Sequence, residues 1–104
     1  MSTRKKSEAV QFLEKITGGP VGLGRFLEAV RLGEELSQPQ FAKRLGISKS
    51  HLNDIEKGRK AVSPDRAARF AKLLGYAQTR FVKLALQDLV NRGGLKLRVD
   101  VKAA

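Results

Sequence analysis

SQPQFAKRLGISKSHLNDIEKGRK, residues Ser37 to Lys60, decides the fold, because its residue types and spacing predict two short helices joined by a tight turn. Ser37 and Gln40 have the spacing of a capping box: the Ser37 hydroxyl takes a first-turn N–H while the Gln40 side chain returns to the cap's own N–H. Pro39 falls inside that first turn, where its missing N–H breaks no intrahelical bond, and Phe41, Ala42 and Leu45 share one face. Gly46 ends the helix in a backbone conformation that a side chain resists. Ile47 plugs the turn. Ser48 then caps a second helix whose inward face is Leu52 and Ile55 and which Gly58 closes. Ala42 is small where two helices crossing near a right angle must approach each other.

The outward face of the second helix carries Lys49, Ser50, Asn53 and Asp54, with Lys57, Arg59 and Lys60 just beyond. Hydrogen-bonding groups come first and positive charge follows, which is what base edges and phosphates respectively require. An αα-hairpin with a solvated polar face fits the same spacing.

From Leu36 to Leu74 the chain resembles the XRE or lambdoid-repressor family of helix-turn-helix DNA-binding domains, through SQ..FA..LGIS...L..IE.G. The resemblance implies a mainly α, lambda-repressor-like bundle with Gly46 as the turn glycine and a recognition helix from about Lys49 to Lys57. It assigns Lys49, Ser50 and Asp54 to base contacts, and Asn53 joins them from its place on the exposed face. Gln38 and His51 fall at backbone-contacting positions, and Ser48, Lys57, Arg59 and Lys60 complete the expected phosphate contacts. Arg31 and Glu56 stand where family members form an internal, structural ion pair. Asp54 departs from the neutral or basic residue usual at its position; facing phosphates it is repelled, unless it accepts a cytosine amino hydrogen or serves to exclude other sequences.

Bulk properties agree. The 104 residues hold 21 Lys and Arg against 10 Asp and Glu, a net charge of +11, which in one small domain favours a polyanionic partner. A hydrophobic content of 41% with no cysteine points to a globular chain without disulfides or Cys-containing zinc sites, suited to a reducing cytoplasm. No apolar run approaches the roughly 20 residues that span a bilayer, so no membrane is expected as partner. One Tyr and no Trp leave no aromatic platform for stacking single-stranded RNA. Ser50, His51 and Asp54 lie too near one another on one helix to form a catalytic triad, and no cluster of metal ligands is present. The chain is therefore expected to be no enzyme, with no cofactor and no metal.

Three segments are expected. Residues 1–20 would be a basic arm (Arg4, Lys5, Lys6) and a short helix over Glu8 to Thr17; the arm reads either as a solubilising tail or as a segment entering a minor groove. Residues 21–92 would be the DNA-binding domain. GGPVGLG, residues 18–24, has the glycine gap of a phosphate loop, but Arg25 and Phe26 stand where Lys and Ser/Thr are needed, so it reads as a helix-entry turn. The first helix of the domain should run from about Leu23 to Glu35 with Leu23, Phe26, Leu27 and Val30 inward. Ser63 and Pro64 should start another, packed through Ala67, Phe70, Ala71 and Leu74 and stopped by Gly75. Gln78 to Arg92 follows, with an apolar face wide enough for a core or for a partner.

Residues 93–104 would form a C-terminal strand, since Leu95, Leu97, Val99 and Val101 alternate with Lys96, Arg98, Asp100 and Lys102. A lone strand needs a pairing edge, supplied by a symmetry mate, by a toxin-like partner, or by nothing if the tail frays. The function expected is a sequence-specific, double-stranded-DNA-binding homodimeric repressor on a palindromic operator. The alternative is the antitoxin of a toxin–antitoxin pair that also represses its own operon.

Overall fold

A computed structural model of the chain describes residues 22–104; the expected basic arm and short first helix lie outside the described residues. Among the described residues there are five α-helices: α1 (Leu23–Gly33), α2 (Gln38–Leu45), α3 (Lys49–Glu56), α4 (Pro64–Leu74) and α5 (Gln78–Arg92). They belong to two units, the first ending at Lys60 and the second running from Ala61 to Ala104.

In the first unit, α1 buries Leu23, Phe26, Leu27 and Val30, the 3–4 spacing of a helix with one apolar face. Gly24 lies in the first turn of this helix, where α1 meets α3. A Cβ at Gly24 would overlap the Ile55 carbonyl oxygen and stand 3.1 Å from its carbon. Of the expected helix-entry turn GGPVGLG, residues 18–21 lie outside the described residues, Gly22 is the N-cap of α1, and Gly24 serves close helix contact. The start of α2 is closed by the capping box: the Ser37 hydroxyl accepts from the Gln40 N–H (3.3 Å) and the Gln40 side chain accepts from the Ser37 N–H (2.9 Å). Phe41, Ala42 and Leu45 are buried. The Ser48 hydroxyl accepts from the His51 N–H at 3.1 Å and starts α3, whose Leu52 and Ile55 are buried.

All five helices end in one way. An N–H wraps back five residues to a last-turn carbonyl: Leu36 to Arg31, Ile47 to Ala42, Arg59 to Asp54, Tyr76 to Ala71 and Leu95 to Val90. Each wrap needs a left-handed residue just before that N–H. Glycine supplies it four times, and at the end of α1 it is Glu35, with φ 56°. A side chain in that conformation is strained by roughly 1–2 kcal/mol, and glycine's looser unfolded chain offsets roughly half of the relief. Glu35→Gly is therefore expected to stabilise by about 0.5–1 kcal/mol, raising the thermal midpoint by several degrees. A fall in the midpoint on calorimetry would show that Glu35 contributes more than its backbone costs.

The second unit is built from α4 and α5. The Ser63 hydroxyl accepts from the Arg66 N–H at 3.4 Å, and Pro64 occupies the first helical position. A hydrogen bond from Ser63 holds the exposed Asp65 carboxyl below its usual range, so it stays ionised beside the positive end of the helix dipole. The stabilisation this gives is present above the ordinary carboxylate range and disappears as pH falls through the lowered value. Phe70, Ala71, Leu74, Phe81 and Ala85 are buried, the Tyr76 ring stacks on Phe81 with centroids 5.3 Å apart, and Gln78 donates to the Ala68 carbonyl at 3.4 Å. Of the wide apolar face of α5, only Phe81 and Ala85 are fully buried, and Leu89 is 44% exposed.

The C-terminal β-strand expected over residues 95–102 is not there: among the described residues the protein has no strand. One side chain takes over the ladder. Gln87 Nε2 donates to the Leu97 carbonyl (2.8 Å) and Gln87 Oε1 accepts from the Val99 N–H (2.8 Å), the two groups that a neighbouring strand would have met. Leu95 and Leu97 are mostly exposed, and Val99 and Val101 are half-buried. The alternation thus encodes a tail tied to α5 through Gln87, and Leu95, Leu97, Val99 and Val101 form no strand among the described residues.

Candidate nucleic-acid interface

The α2–turn–α3 unit is fastened from behind by one buried carboxylate. Glu56, at the end of α3, has a side chain only 1% exposed, and Arg31 of α1 meets it with two prongs, Nε to Oε2 at 2.8 Å and Nη2 to Oε1 at 3.0 Å. The fork geometry of guanidinium and carboxylate makes such a pair directional as well as strong. The third Arg31 nitrogen, Nη1, donates to the Leu36 carbonyl at 3.1 Å. Its bond to Glu56 holds the Arg31 guanidinium above its already high ordinary value. Gln38, the first residue of α2, adds a third donor. Its Nε2 reaches Glu56 Oε1 at 3.0 Å and Asn53 Oδ1 at 3.1 Å, so α1, α2 and α3 converge on Glu56. A second tie joins Arg44 of α2 to Glu34 at 2.7 Å.

In front, Lys49 and Ser50 are exposed, and His51, Asn53 and Asp54 are half-buried. Ser48 is exposed, and its hydroxyl is the cap of α3. Lys57 caps the far end, one residue past the last helical one, and Arg59 and Lys60 follow, all three exposed. Asp54 is drawn into this cationic turn. Its Oδ1 lies 3.0 Å from Arg59 Nε and its Oδ2 3.9 Å from Lys60 Nζ, while its carbonyl accepts from the N–H groups of both residues at 2.8 and 3.3 Å. The carboxylate that looked out of place beside phosphates is flanked by positive charge. Asn53 and Gln38, expected on base and phosphate, are joined to each other, with the Gln38 NH2 turned inward.

Two of these contacts were not legible from the residues alone. The five-residue gap between Asp54 and Arg59 is not a helical neighbour spacing, and the contact exists because Gly58 turns the chain back. The Gln38–Asn53–Glu56 link spans two helices, and only the crossing of α2 and α3 brings it together. Among the described residues no group of His, Cys, Asp and Glu side chains is placed to hold a metal ion, and no helix is long and apolar enough to cross a membrane.

Residues 22–81 match the family model described as a helix-turn-helix domain, a span that contains α1 to α4 entire. The chain is also similar to the "ImmF control region 10 kDa protein" of Bacillus phage phi105, with 33% identity over 72 residues that make up 69% of this chain and 79% of that protein. No solved structure matches. The match covers more than half of the chain and includes the braced α2–α3 pair: the chain belongs to the helix-turn-helix domain family of DNA-binding modules, consistent with the XRE-type resemblance of Leu36 to Leu74.

Proposed function

We propose that this protein is a sequence-specific regulator of transcription that binds double-stranded DNA as a homodimeric repressor, with α3 in the major groove. The observation that carries this reading is the contrast between the two sides of α3. Its back is fixed by Glu56, Leu52 and Ile55, while its front offers Lys49 and Ser50 to solvent beside a cationic turn. Lys49, Ser50, Asn53 and Asp54 are the residues assigned to base edges, and Ser48, His51, Lys57, Arg59 and Lys60 those assigned to phosphates, with Gln38 positioning Asn53. An eight-residue helix is only about 12 Å long and reads few base pairs, so a two-fold dimer spanning half-sites about 34 Å apart supplies the length that specificity needs. Repression then follows from occupying an operator, without catalysis. The control-region name of the phage relative supports the regulatory half of the proposal.

Selection of bound duplexes from a random pool tests it. Enrichment of an inverted repeat with half-sites one helical turn apart is expected; recovery of unrelated sequences at equal, salt-sensitive affinity would overturn it. Within the enriched site, Lys49→Ala should cost about 1–3 kcal/mol and relax preference at one or two base pairs, whereas Lys60→Ala should weaken every duplex alike and lower the salt slope by about 1. Uniform losses in both variants would refute the division of roles.

A further inference from the structure

Positive charge is not concentrated where the helix-turn-helix is. From Gly22 to Lys60 the chain has eight Lys and Arg against five Asp and Glu, a net of +3, whereas from Ala61 to Ala104 it has nine against three, a net of +6. The second unit holds more than half of the total of +11, although it contains neither α2 nor α3. A third of this excess, +2, lies on the tail, where Lys96, Arg98 and Lys102, all exposed, stand against Asp100. The tail's single acid, Asp100, is itself exposed and lies 4.0 Å from the exposed Lys83 of α5.

The tail is also shaped. The Gln87 carboxamide grips the Leu97 carbonyl and the Val99 N–H at 2.8 Å each, and two such groups face one way only when the backbone between them is extended. Arg98, the residue between, then has its side chain on the opposite face from Leu97 and Val99, with Lys96 beside it. Alternate side chains stand about 6.6 Å apart along an extended chain, close to the roughly 6.8 Å of helix axis between a phosphate and the next but one on the same DNA strand.

We propose that the tail fastened along α5 is a second DNA contact, a strip in which Lys96, Arg98 and Lys102 take phosphates of the duplex without reading its sequence. The Gln87 grip on Leu97 and Val99 holds Lys96 and Arg98 in an extended row, so these two need not be ordered anew when DNA binds, and Lys102 follows three residues beyond the grip. This rests on the DNA-binding reading of α3, and it divides the labour: the first unit discriminates, and the second adds affinity through counterion release.

The test uses the full chain and a 24-base-pair duplex of arbitrary sequence, with binding followed by fluorescence anisotropy across a salt series. The triple variant Lys96→Gln, Arg98→Gln, Lys102→Gln should lower the slope of log affinity against log salt by about 2.7, or 0.9 for each phosphate lost. Gln87→Leu keeps every charge but releases the tail; it should weaken binding several-fold at an almost unchanged slope. A triple variant that retains the parent slope, with circular dichroism unchanged, overturns the strip while leaving the DNA-binding function intact. A Gln87→Leu affinity equal to the parent's overturns the fastening. If the parent itself fails to bind the duplex at low salt, both the strip and the function it rests on fall.

Discussion

Glu56→Ala is expected to be among the most damaging single substitutions in the described part of the chain, costing about 3–5 kcal/mol. Removing one partner of a buried ion pair leaves the other charge uncompensated where little water reaches it. Here the loss falls on three donors at once: two Arg31 nitrogens and the Gln38 amide all converge on the Glu56 carboxylate. For a domain of this size the thermal midpoint should fall by 12 °C or more, taking roughly 4 °C per kcal/mol as the lower bound. Arg31→Met combined with Glu56→Leu should be markedly less harmful than Glu56→Ala, because no buried charge is then left behind. Chemical denaturation of the singles and the double completes the cycle. If the single change costs under about 1 kcal/mol, the pair is solvated and the brace described here does not exist. The pair should also be insensitive to alkali: a guanidinium held above its ordinary value contributes fully at every pH below that value and is lost only as pH climbs through the raised one.

Gly24→Ala is expected to destabilise by about 3 kcal/mol, against the usual direction of a glycine-to-alanine change in a helix. Alanine gains up to about 1 kcal/mol in helix propensity, and at an open site that term decides the sign. At Gly24 it does not, because the new Cβ meets the backbone carbonyl of Ile55, which no rotamer change can move aside; α1 and α3 must separate, with the cost of an overpacked core. Gly33 is the control. Nothing lies within 4 Å of a Cβ placed there, so Gly33→Ala should be neutral or slightly stabilising. Equal effects at the two glycines in thermal melts would refute the close approach. Because Ile55 is on α3, Gly24→Ala should also weaken DNA binding at temperatures where the protein is still folded.

The difference between these glycines marks the limit of what the residues disclose. Most boundaries of α2, α3 and α4 were legible because they have a local cause: Ser37, Ser48 and Ser63 cap, and Gly46, Gly58 and Gly75 reverse the chain, all within a few residues of the ends they make. The turn at Glu35 escapes that logic, since a glutamate is no signal for a left-handed residue. The carboxyl end was misread for a physical reason. Strict alternation reports that one face of an extended chain leans on something, and a sheet is only one such support. Here the support is partial: the Gln87 side chain of α5 stands in for a strand at Leu97 and Val99, while Leu95 and Leu97 stay mostly exposed. In the candidate interface, the types of residue facing outward on α3 were legible from its period. The Gln38–Asn53 and Asp54–Arg59 contacts were not, because each depends on how separate segments cross.

The brace behind α3 also bears on how such a protein can change over time. The groups that hold the helix are Leu52, Ile55 and Glu56, whereas Lys49 and Ser50 take no part in holding it. Substitutions at exposed positions of that kind usually alter stability by no more than about 0.5 kcal/mol. Given the base-reading role proposed for residues 49 and 50, a lineage can therefore move from one DNA target to another by altering them without first acquiring compensating mutations elsewhere. Asn53 is the exception: its tie to Gln38 means that a new residue there disturbs the scaffold as well as the base contact proposed for it. Positions 49 and 50 should vary freely among related proteins with different targets, and position 53 should change together with position 38.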